Sequence, residues 1–125
     1  MDRRGGLDDD EQTVVDAVAR WVDREVRPHA GRLERAGEYP AALIDQMKEM
    51  GVFGLAVPTR WSESAVSARC FALVTAELAR GWMSLAGAMG GHSVVPPCSR
   101  ASVPRRSRSA GCRGWRRGRC GRRWR

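Results

Sequence analysis

The chain has 125 residues and a formal charge of +8, a length that allows one domain and a charge that suggests a nucleic-acid or membrane partner. The charge is not spread evenly. Residues 1–95 hold 11 Lys and Arg against 14 Asp and Glu, whereas residues 96–125 hold 11 Arg, no Lys and no acid. The basic character therefore belongs to the last thirty residues, and residues 1–95 have the composition of an ordinary acidic soluble domain, which excludes a basic nucleic-acid-binding head.

Residues 1–6 read as a flexible leader. The first residues, MDRRGGLDDDEQ, are charged and have no apolar core, so no secretory signal is expected. A cytoplasmic location with reduced thiols follows. Asp8 is placed to cap a helix, and Glu11, three residues on, completes a capping box. Val14, Val18, Val22 and Val26 then form an i, i+4 stripe flanked by Val15, Ala19 and Trp21, the buried face of a surface helix. Trp21 is expected to pack in the core. Pro28 should bend or end this helix, with Leu33 continuing the stripe beyond it.

Residues 36–40, AGEYP, form a turn with Pro40 in the first turn of a second helix. Leu43, Ile44, Met47 and Met50 make its apolar face, and Gly51 ends it as a left-handed C′ glycine. Residues 52–58, VFGLAVP, are an apolar connector that should be buried. A third helix is expected over residues 66–80. Its Phe71, Val74 and Leu78 share a face, and Arg80 and Gly81 suit a helix end. A fourth helix is expected over residues 83–95. It is apolar on all sides and rich in glycine, so it should be enclosed on all sides. It is too short to span a bilayer, and no membrane association is expected. The fold class is thus all-α, a partial bundle of about four helices.

The acids of this domain are accounted for as caps and solvated faces, with Glu77 the one that sits among apolar neighbours. No catalytic residue and no metal site is assigned. His92 is the one side chain of the fourth helix that titrates near neutrality. Its ordinary role would be a hydrogen-bonded, buried histidine.

The stretch ALVTAELAR followed by the Gly-rich apolar helix ending GGHS resembles the N-terminal helical domain of acyl-CoA dehydrogenases. The resemblance covers residues 7 to 95 and includes GEYP and MGVFGLAVP in the same order. It departs where Ser62-Glu63 follows the aromatic Trp61, at a point where the family has a glycine. The resemblance implies a FAD-dependent oxidoreductase acting on acyl-CoA thioesters, with a homo-oligomeric intact protein. It also implies that the fourth helix lines part of the acyl pocket, which singles out Met89, Gly90, His92 and Ser93. The family's base and most of its flavin contacts belong to later domains, so a chain limited to these residues is expected to be inactive.

From Pro96 onward periodicity ends and Arg, Gly, Ser, Cys, Pro and Trp dominate, a composition expected to be disordered. Three readings compete. Arginines interleaved with Trp115 and Trp124 suit phosphate pairing and base stacking, hence a nucleic-acid-binding arm or non-specific polyanion binding. Cys98, Cys112 and Cys120 lack the close pairing of a zinc site. The third reading is a displaced reading frame. Back-translated with GC-rich codons and read one base out of step, residues 97–125 become LLARFGAEAQPQRGLPRMATGEVRATMA. That peptide resembles the segment after the fourth helix in the same family, so residues 96–125 are best explained as translated out of frame.

Overall fold

A computed structural model describes residues 5–57 and 65–102, with side chains described up to residue 93. The helices of the described residues form four rods. The first rod comprises α1, Asp9–Trp21, a π-helical segment, Val22–Val26, and α2, Arg27–Ala36, without interruption. Asp8 caps it, its Oδ1 accepting the Glu11 N–H at 2.7 Å. Three further acids, Asp9, Asp10 and Glu11, occupy the positive end of the helix dipole.

Pro28 does not end this rod. The preceding turn widens instead, and Arg27 N–H bonds back to Val22 O, one residue further than in an α-helix. Pro28 then enters near the start of α2, where its missing N–H costs little. The wide turn also explains the buried stripe, which runs through Val15, Val18, Val22, Val26, Ala30 and Leu33, with Val14 at its margin. Three successive four-residue steps would drift by about 120° on a regular α-helix. The π segment absorbs that drift and keeps Ala30 and Leu33 on the core side.

The rod ends at Gly37, which is left-handed (φ 63°). Glu38 N–H reaches Leu33 O at 3.0 Å and Gly37 N–H reaches Glu34 O at 3.2 Å, closing the last carbonyls. α3, Ala41–Glu49, buries Leu43, Ile44 and Met47. Met50, expected on the same face, is 37% exposed because the helix has already ended there and the chain turns at left-handed Gly51 (φ 73°). A short 3₁₀ turn, Val52–Gly54, comes next, and Val52, Phe53, Leu55 and Val57 are buried as the connector pattern predicts. The loop around Trp61, Ser62 and Glu63 lies outside the described residues.

α4, Ala68–Gly81, packs against α1, the π segment and α5. Its inward face is Cys70, Val74 and Leu78, all fully buried, with Phe71 only partly so. Gly81 is not a left-handed cap. A Cβ on it would stand 2.6 Å from Val22 Cγ1 and 3.1 Å from Val26 Cγ1, so glycine is needed there for close approach to the π segment. The helix ends because Trp82 is extended (φ −163°).

α5, Met83–Ser102, runs past the expected boundary at Val95, through Pro96 and Pro97. Inside a helix a proline keeps a helical φ but removes a backbone donor, and its ring crowds the carbonyl four residues back. α5 thus includes the first residues of the arginine-rich stretch, and residues 103–125 lie outside the described residues. α5 is not enclosed all round either. Leu85, Ala86 and Met89 are buried, whereas Gly87, Ala88 and Gly91 are exposed and Met83 is 70% exposed. The all-apolar composition of the helix overstates its burial, because α4 and the 3₁₀ turn cover one side only.

Candidate functional site

Met89, Gly90, His92 and Ser93 occupy one turn of α5 and do not converge on one point. Met89 is fully buried in the core. Ser93 Oγ donates to Met89 O at 2.8 Å, so the hydroxyl proton is used within its own helix. The His92 ring stands edge-on to Phe53, centroids 4.9 Å apart and planes 65° apart. That contact ties α5 to the 3₁₀ turn and makes His92 a half-buried packing residue. Gly90 faces open space: nothing lies within 4 Å of where its Cβ would be.

Two open grooves lie elsewhere. One, of about 440 Å³, is lined by Trp21, Glu25, Gln46, Glu49 and Met50. The other, of about 600 Å³, has apolar walls including Val14, Val52 and Val66, and carboxylates at its edge from Asp8, Asp10 and Glu11. None of the four α5 positions lines either groove. The carboxylates of the two grooves, Glu25 and Glu49 in one and Asp8, Asp10 and Glu11 in the other, would repel the phosphates of a dinucleotide or of coenzyme A. Neither groove therefore fits FAD by itself.

The side chains with chemical potential are committed to structure. Arg80 bridges two carboxylates, bonding Glu77 Oε2 through Nε and Asp23 Oδ1 through Nη1, each at 2.7 Å. Asp23 also accepts from Arg27 at 3.2 Å. The guanidinium of Arg80, and then that of Arg27, holds the Asp23 carboxyl below its ordinary value, while the paired carboxylates raise Arg80. Glu77, the acid singled out for its apolar neighbours, is thus a salt-bridged residue. Burial, with Glu11 and Asp8 adding to it, pushes the Cys70 thiol up to about 11. At neutral pH it is a protonated thiol and a poor nucleophile. Trp21 packs at the core edge and donates Nε1–H to Gln46 Oε1 at 2.6 Å. Trp82 Nε1 is buried without an acceptor among the described residues. Among the described residues no three His, Cys, Asp or Glu are placed to share a metal ion, and no helix is long and apolar enough to cross a membrane.

The contacts that sequence reasoning missed are Glu11 with Ser67, Asp23 with Arg80, Trp21 with Gln46, and Phe53 with His92. Each joins residues far apart in the chain, where local spacing carries no signal.

Residues 8–101 match the family model of the acyl-CoA dehydrogenase N-terminal domain. The chain is 36% identical over 89 residues to benzylmalonyl-CoA dehydrogenase of Aromatoleum aromaticum, covering 71% of this chain and 24% of that protein. It is 32% identical over 91 residues to (2S)-methylsuccinyl-CoA dehydrogenase of Cereibacter sphaeroides, covering 72% of this chain and 16% of that protein. A probable acyl-CoA dehydrogenase of Bacillus subtilis is 27% identical over 74 residues, covering 59% of this chain and 20% of that protein. The chain thus spans between about a sixth and a quarter of the length of these relatives.

Proposed function

The chain belongs to the acyl-CoA dehydrogenase family, of which it carries the N-terminal domain; from that membership we propose that it is a fragment of a cytoplasmic, FAD-dependent oxidoreductase acting on the CH–CH bond of an acyl-CoA thioester. The observation that carries the reading is the match of residues 8–101 to that domain. Two relatives bear the names of benzylmalonyl-CoA and (2S)-methylsuccinyl-CoA dehydrogenases, which supports an acyl thioester as the substrate class. In this proposal the turn of α5 with Gly90 and His92 contributes part of an acyl-pocket wall in an intact, homo-oligomeric enzyme. The flavin, when held by such an enzyme, supplies the hydride acceptor.

The 125 residues are inactive alone in this reading. Glu77, the acid singled out in the sequence, is tied to Arg80, and the Cys70 thiol is protonated. Purified protein mixed with FAD and a panel of acyl-CoA thioesters is expected to retain no flavin after desalting and to show no substrate-dependent bleaching. Flavin that stays bound and is bleached by an acyl-CoA would overturn the inactivity.

We further propose that residues 96–125 are read out of frame. The abrupt loss of acids and the surplus of arginine after Val95 support this, as does the family-like peptide in the neighbouring frame. Nucleotide sequencing of the gene from codon 90 past the stop is the test. A neighbouring frame that runs open into further dehydrogenase sequence is the expected result. A neighbouring frame that closes at once makes the arginine tail genuine and favours nucleic-acid binding. That alternative requires affinity that discriminates one DNA or RNA from another, beyond the salt-sensitive sticking of any arginine-rich peptide.

A further inference from the structure

We draw no further inference here: the strongest candidate, the exposed face of α5 formed by Met83, Gly87, Ala88 and Gly91, is an unpartnered surface of small and apolar residues, and nothing in the structure shows what covers it.

Discussion

Ser67 donates its backbone N–H to Glu11 Oε1 at 2.6 Å, across 56 positions of sequence. Ser67 is the N-cap of α4, and its own Oγ accepts from Cys70 N–H at 3.1 Å. In a local capping box, the residue three places on would satisfy the cap's N–H. Here that residue is Cys70, which cannot, and a carboxylate from another helix does so instead. Glu11, by spacing the partner of Asp8 in a box, serves the start of α4.

Glu11→Ala is expected to lower stability by about 1 kcal/mol, because it leaves the Ser67 N–H to water alone. Ser67→Ala should cost a similar amount through the lost Oγ cap. Urea unfolding followed by circular dichroism measures both. Equal stability of Glu11→Ala and the parent chain would mean that water replaces the carboxylate at no cost.

Two glycine-to-alanine substitutions are expected to have opposite signs. At Gly81 the new methyl meets Val22 Cγ1 at 2.6 Å, and overpacking of this kind costs about 1–3 kcal/mol. That outweighs the gain in helix propensity, about 1 kcal/mol. At Gly87, on the exposed face of α5, nothing lies within 4 Å and only the propensity gain remains. Gly81→Ala should therefore lower Tm and Gly87→Ala raise it. Adding Val22→Ala to Gly81→Ala should give a double variant less damaged than the two single changes predict together.

Asp23 gives a pH dependence whose sign is fixed. Its carboxyl titrates below the ordinary 3.8 in the folded chain, because Arg80 and Arg27 favour the charged form. The unfolded state therefore binds the proton more readily, and the stabilisation is fully present above about pH 4. It is lost as pH falls through the folded value. Asp23→Asn should flatten this part of the stability profile in acid and leave its slope near neutrality unchanged.

Cys70 should be silent to thiol reagents in the folded chain. It is fully buried, and its thiol titrates near 11 rather than 9.0. Mass spectrometry after brief alkylation at neutral pH is expected to find Cys70 unmodified without denaturant and modified with it. The raised value also makes stability fall as pH rises from about 9 toward 11, since the unfolded thiol loses its proton first. Rapid native alkylation of Cys70 would show that the α1–α4 contact opens readily.

Much of the fold is legible in the sequence because it is written in local spacing. The valine stripe, the turn over residues 36–40, left-handed Gly51, and the buried connector residues Val52, Phe53, Leu55 and Val57 all follow from residue order alone. The illegible part depends on neighbours from elsewhere in the chain. Gly81 reads as a helix stop until Val22 and Val26 are seen against it. α5 reads as fully enclosed because composition counts apolar residues and not the surfaces available to cover them. The candidate site is singled out by family resemblance, at Met89, Gly90, His92 and Ser93, and not by local spacing; Met89 is buried in the core and Ser93 bonds Met89 O of its own helix.

The π segment makes the first rod one residue longer than its reach requires. Removing Arg24, which is exposed, would turn the buried spacing from Val18 onward from four, four, four, three into four, three, four, three, the rhythm of a regular α-helix. The rod can therefore be read as an ordinary helix carrying a one-residue insertion, and a one-codon deletion is the change it is best built to survive. Pro28 would then stand one position earlier, inside an unbroken α-helix, so circular dichroism would separate two demands. Retained helicity would mean that the drifting stripe called for the wide turn; lost helicity would mean that the proline did.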